Sequence, residues 1–221
     1  MGKIGNFTLI ELSNVTIEQE NFTLKEINFK VGKGRYAILM GDTGCGKTSV
    51  IETIAGIRSI KHGAIYLNSR EVTHDSPASR GLGYVPQDAS LFKTMLVKDN
   101  IAFSLEVRGW EKNKKEERVK ELANLLHLEK LLFRPVYGLS GGEKQRIALG
   151  RALAFHPEIL LLDEPLSAVD ENLRISLGQL LKDIQKHTEM TVLHVTHNPL
   201  EAKEIGDLKF EISNGKVMKV A

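Results

Sequence analysis

The run Gly41-Asp42-Thr43-Gly44-Cys45-Gly46-Lys47-Thr48 constrains this chain more than any other feature. It fits G-x-x-x-x-G-K-[ST] and stands between a short apolar run, Tyr36-Ala37-Ile38-Leu39-Met40, and a segment of helical spacing, Thr48–Ile57. Strand, glycine-rich loop and helix start therefore follow one another. Glycines let successive backbone N–H groups turn inward around a phosphate. The helix N-terminus adds a partial positive charge. Lys47 can reach the outer phosphates of a nucleotide, and the Thr48 hydroxyl can ligate a divalent cation. A chance match somewhere in a chain of this length is on the order of one per cent, given ordinary glycine usage. Ser49 continues the helix start and joins the eight loop residues as a ligand-binding candidate.

Two further segments carry chemistry. In Ile159-Leu160-Leu161-Leu162-Asp163-Glu164-Pro165 an apolar strand ends in adjacent carboxylates. Asp163 can hold a magnesium shell and Glu164 can polarise a water for in-line attack on a phosphate. In Leu139-Ser140-Gly141-Gly142-Glu143-Lys144-Gln145-Arg146, Ser140 and Glu143 have the spacing of a capping box for a helix over 141–155. Two glycines in a first turn cost roughly 1 kcal/mol each relative to alanine, and capping alone does not require them. Close approach of an anionic ligand to bare N–H groups does.

The rest of the chain alternates. Residues 7–31 and 64–73 read as strands, with Phe22, Leu24, Ile27, Phe29 and Val31 mostly alternating. Lys98–Val107 and Glu111–Phe133 are charged and amphipathic, and Arg134-Pro135 is expected to stop the second helix. Ile159–Leu162 and Thr191–Thr196 read as buried strands on either side of a helix, about Glu171–Lys186. The end, Phe210–Val220, alternates around the hairpin turn Asn214-Gly215. Strands alternating with helices imply an α/β fold with a mainly parallel sheet flanked by helices.

Composition narrows the partners. A net charge of +2 over 221 residues gives no electrostatic reason to propose nucleic acid. The single cysteine, Cys45, leaves no internal disulfide and reads as cytosolic. Cys45 is read as a small filler of the loop rather than as a reactive thiol. Met1–Asn6 lacks the apolar core of a signal peptide, and no stretch approaches the ~20 apolar residues of a membrane span.

In this order, Gly41–Thr48, Leu139–Arg146 and Ile159–Pro165 resemble the ATP-binding cassette (ABC) family of ATPases, over about residues 8–218. Tyr84-Val85-Pro86-Gln87 resembles that family's glutamine loop. Ser167-Ala168-Val169-Asp170 resembles its D-loop, and Val195-Thr196-His197-Asn198 its switch-histidine segment. The resemblance implies a P-loop NTPase core with an N-terminal antiparallel β subdomain and an inserted helical subdomain. The whole chain, 1–221, would be one nucleotide-binding domain, with core and β subdomain at about 1–86 and 157–221 and the helical subdomain at about 87–156. It implies Mg-dependent ATP hydrolysis with ATP and Mg²⁺ as cofactors. Glu164 would be the general base and His197 would position the water and γ-phosphate. Lys47 would stabilise transferred charge, while Thr48, Gln87 and Asp163 would organise Mg²⁺. Ser140, Gly141 and Gly142 would serve the ATP of a second cassette paired head to tail, expected as a homodimer.

The same resemblance implies transmembrane subunits docked near Gln87–Glu106, and a cytoplasmic, peripheral place on the inner face of the cell membrane. Pro86–Phe92 through Asn100–Ala102 is similar to importer cassettes, and Leu161–Asp170 with Leu193–His197 looks most like those for molybdate, tungstate or related oxyanions. A soluble, non-transport ABC ATPase switch or assembly factor is the alternative. One departure stands out. The family stacks an aromatic residue on adenine, and the corresponding region, Glu18–Glu20, has none; Phe22 is the nearest substitute.

Overall fold

Alternating side-chain direction along the strands of one sheet divides the protein into two cores on its opposite faces. The computed structural model describes residues 8–19 and 22–220. Met1–Asn6, where a signal peptide was looked for, and Glu20 of the adenine-stacking region lie outside the described residues. In chain order the elements are β1 (Thr8–Gln19), β2 (Phe22–Gly32), β3 (Tyr36–Gly41), α1 (Lys47–Ala55), β4 (His62–Leu67), β5 (Arg70–Glu71), β6 (Gly83–Val85), α2 (Val97–Val107), α3 (Lys112–Leu125), α4 (Gly141–Leu153), β7 (Ile159–Asp163), α5 (Glu171–Thr188), β8 (Thr191–Val195), α6 (Pro199–Ile205), β9 (Leu208–Ser213) and β10 (Lys216–Val220).

One sheet has the order β2-β1-β4-β5 and is antiparallel; the other has the order β10-β9-β3-β8-β7-β6 and is parallel except for β10. In the parallel sheet Ala37, Leu39, Ile159, Leu161, Leu193 and Val195 face α1 and the antiparallel sheet. Tyr36, Ile38, Leu160, Leu162 and Val192 face the other core, with α2, α4 and α5. These strands are apolar throughout because both faces are covered. Among the described residues no helix is long and apolar enough to cross a membrane.

Two expectations need correction. Residues 64–73 are not one strand: Asn68 and Ser69 take positive φ (51° and 60°), and the chain folds back as a tight β4–β5 hairpin. The helix that starts at Lys112 ends at Leu125, well before Arg134-Pro135. His127 is left-handed (φ 53°), Leu128 N–H donates to Ala123 O (2.7 Å) and His127 N–H to Asn124 O (3.2 Å). That is a C-terminal motif that closes a helix without proline. Arg146 of α4 adds donors to the Leu126 and His127 carbonyls.

Candidate nucleotide site

The candidate residues of the phosphate loop, the Asp-Glu pair and the switch histidine meet at the carboxyl ends of three adjacent strands, β3, β8 and β7. Open α/β sheets place ligands at such edges. The loop after β3 is built on glycine where nothing else fits. Gly46 is the N-cap of α1 at φ 101°, and a Cβ there would stand 2.8 Å from both Leu24 and Phe22. Phe22 thus packs beside the loop. Gly41 is as tight, since its Cβ would meet Cys45 Sγ at 2.6 Å. Burial pushes the Cys45 thiol up, against the pull of Lys47, which fits a filler rather than a reactive thiolate.

Lys47 is almost fully buried and its ammonium donates to Gly41 O (2.8 Å) and Asp42 O (2.9 Å). Those bonds aim the charge along the bowl of the loop. Thr48 Oγ1 donates to Asp163 Oδ1 at 3.3 Å. Ser49 turns instead toward β1, with its hydroxyl 3.1 Å from the Gln19 side-chain amide. Burial pushes the Asp163 carboxyl up to about 6; Glu164 and Glu52 add to this, while Thr48 and Lys47 oppose it. Thr48, Gln87 and Asp163 line one open groove. A hydroxyl, an amide oxygen and a carboxylate short of positive charge are hard oxygen donors that fit magnesium.

Glu164 sits in the left-handed region (φ 46°), held there by its N–H donating to Val195 O (2.9 Å). A non-glycine residue in that region is strained, and such strain gathers at functional sites. His197 Nδ1 lies 3.2 Å from Glu164 Oε2, with the His197 ring more than half exposed. The base candidate and the switch histidine therefore touch within one chain.

Ser140, Gly141 and Gly142 do not join them; they line neither this groove nor the cavity beside Glu164 and His197. The capping box is present: Ser140 N–H donates to Glu143 Oε2 (2.7 Å) and Glu143 N–H to Ser140 Oγ (3.2 Å). The glycines also have an internal reason. A Cβ on Gly141 would stand 3.0 Å from Ala168 O, and one on Gly142 would stand 3.0 Å from Val169 and Leu173. Close packing against residues 168–173 thus accounts for glycines that ligand approach alone was expected to explain.

Sequence reasoning missed several supporting residues. Arg151 of α4 donates to Ala89 O and Ser90 O, fixing the turn after Gln87. Tyr36, His194 and Glu201 form a buried polar group behind the switch segment, with the half-buried Arg174 at its edge. The one sequence signal was a histidine inside the apolar strand Thr191–Val195.

The sequence profile of the ABC transporter family matches residues 24–167. This chain belongs to that family. It is 41% identical to the molybdate/tungstate import ATP-binding protein of Thermococcus kodakarensis, over 96% of this chain and 64% of that protein. It is also 41% identical to the sulfate/thiosulfate import ATP-binding protein of a Synechocystis species, over 96% of this chain and 60% of that protein. The chain thus spans less than two thirds of the length of these relatives. Among solved structures, a dimeric ATP-binding cassette in a post-hydrolysis state bound to ADP and Pi matches with a TM-score of 0.86 and 26% identity. The match covers 96% of this chain and 99% of the other.

Proposed function

We propose that this chain is the ATP-hydrolysing subunit of a membrane importer, and that all of 1–221 acts as one nucleotide-binding domain. The contact between Glu164 and His197 at the mouth of the phosphate loop carries the reading. The loop N–H groups and Lys47 hold the β- and γ-phosphates. Magnesium, when bound, neutralises charge developing on the phosphates. Thr48, Gln87 and Asp163 are the residues that would hold it. Glu164 accepts a proton from the attacking water while His197 orients that water and the γ-phosphate. Ser140, Gly141 and Gly142 lie outside this cluster, which supports a role toward the ATP of a second cassette. Two copies would enclose two nucleotides, so ATP favours the pair and hydrolysis releases it.

The chain would sit at the inner face of the membrane, held by transmembrane subunits that dock on the segment from Gln87 to Glu106. Relatives named for molybdate/tungstate, sulfate/thiosulfate and maltose import share 36–41% identity with this chain. That spread supports import as the class and leaves cargo choice with the subunits it docks on; oxyanions are the cargo we favour.

Light scattering on Glu164→Gln with and without Mg-ATP tests this. The substitution keeps shape and removes the base, so ATP should convert monomer to dimer, while the unaltered chain releases phosphate and returns to monomer. A Glu164→Gln protein that binds ATP yet stays monomeric overturns the composite site. A chain that binds ATP and releases no phosphate overturns the assignment of hydrolysis.

A further inference from the structure

Behind the Glu164–His197 contact lies a carboxylate that no step above uses. Glu201 on α6 is 8% exposed. Its Oε2 stands 3.4 Å from His194 Nε2, and His194 is fully buried with its other ring nitrogen 3.0 Å from the Tyr36 hydroxyl. Thr196 lines the same cavity as Glu201. Thr196 Oγ1 accepts the Asn198 N–H at 3.0 Å, and Asn198 caps α6 and accepts the Ala202 N–H (3.3 Å), so the residues on both sides of His197 are bonded to the helix that carries Glu201.

From the opposite side comes Arg174 of α5. Its Nε is 3.7 Å from Glu201 Oε1. The same guanidinium donates to Leu166 O (3.4 Å) and Val169 O (3.2 Å), the backbone of the loop between Glu164 and Asp170. Between the two segments is a cavity of about 230 Å³, with Glu164, Ser167, His197 and Glu201 on its walls. Burial pushes the Glu201 carboxyl up, yet His194, Thr196 and Arg174 bring it below the ordinary glutamate range, so it is an anion at neutral pH. A buried anion is costly to keep, and an apolar side chain would pack α6 on the sheet more cheaply.

We propose that Glu201 is a positioning residue, which locks the switch segment Thr196–Asn198 to the loop Glu164–Asp170 through Arg174. The base, the water-orienting histidine and the loop expected at the cassette interface then shift as one unit. The coupling to hydrolysis rests on the function proposed above; the mechanical coupling does not.

Two readouts separate these. Without nucleotide, amide hydrogen exchange of Glu201→Gln should accelerate at least tenfold in both 164–170 and 196–198, with β3 and α1 unchanged. Arg174→Lys keeps the charge but not the fork that reaches Leu166 and Val169; it should give the same pattern and guards against a misfolded first variant. In hydrolysis, Glu201→Gln should lower kcat at least tenfold with the KM for ATP within twofold, Glu201→Asp should recover part of it, and the exposed neighbour Glu204→Gln should match the unaltered chain. Exchange that changes only next to the substitution, or kcat within twofold, overturns the proposal. A chain that shows no hydrolysis before any substitution instead counts against the proposed function, and the exchange experiment still decides the coupling.

Discussion

Two helices in this protein begin at glycines, and they treat their free N–H groups differently. The first turn of any helix leaves such groups unpaired. At α1 no side chain caps them and no acidic residue sits in the first turn. At α4 the capping box pairs two of them, the Ser140 and Glu143 N–H groups, leaving those of Gly141 and Gly142 free, and Ala168, Val169 and Leu173 fill the space beside the glycines. The start of α1 is left for an external anion to complete. The start of α4 is half complete by itself, and the two N–H groups left free are those of Gly141 and Gly142. One fully open and one half-capped helix start fit the proposed division between the chain's own nucleotide and that of a second cassette.

The largest expected effect comes from exchanging alanine for glycine at the two sites. Gly46→Ala places a Cβ at φ 101° against Leu24 and Phe22, a strain of about 1–3 kcal/mol. Isothermal titration should show ATP affinity lost by at least a hundredfold. Gly141 lies outside the left-handed region, and its Cβ would press only on Ala168, at its O (3.0 Å) and Cβ (3.2 Å). Gly141→Ala should leave monomer affinity within twofold and abolish the ATP-driven dimer in a Glu164→Gln background. Equal loss of affinity in both variants would break the contrast.

Asp163→Asn sharpens the same contrast from the open side. The Asp163 carboxyl titrates near 6 rather than near 3.8 because the folded chain buries it. Between those values the folded state holds the proton more tightly than the unfolded state. Stability is therefore lost as pH rises from about 4 to about 6, and the cost stays constant above that. Asp163→Asn should raise stability at pH 8 by about 1–2 kcal/mol, less than the full shift implies because the open groove admits solvent. The gain should vanish near pH 4, as thermal melting without nucleotide would show. With Mg-ATP the order should reverse, since the substituted site loses its anionic magnesium ligand.

Much of this was legible in the residues because the chemistry is local. Gly41–Thr48 and Ile159–Glu164 write strand, turn and ligand into contiguous runs. The hairpin at Asn214-Gly215 was equally plain, and both residues take positive φ as such a turn requires. What escaped was whatever depends on distant packing. The end of α3 is set by a left-handed histidine and by Arg146 on another helix, neither of which a proline search finds. The glycines of 141–142 fit a ligand-based explanation until residues 168–173 are seen against them. Arg174 and Glu201 look like ordinary surface charges in sequence, and only the fold turns them toward one another.

Ser140→Ala should have the smallest effect, and it probes the closed side. It removes the hydroxyl that accepts the Glu143 N–H and donates to the Glu143 carboxylate, a loss of about 1 kcal/mol of the kind measured for helix caps. The Ser140 N–H, then its hydroxyl, hold the Glu143 carboxyl below its ordinary value of 4.5. A lowered carboxyl stabilises fully above that value and loses its effect as pH falls through the folded one. The melting difference between Ser140→Ala and the unaltered chain, measured without nucleotide, should therefore be full at neutral pH and shrink in acid. If α4 were left uncapped like α1, the hydroxyl would contribute nothing until a partner's phosphate arrived, and the two proteins would melt together at every pH.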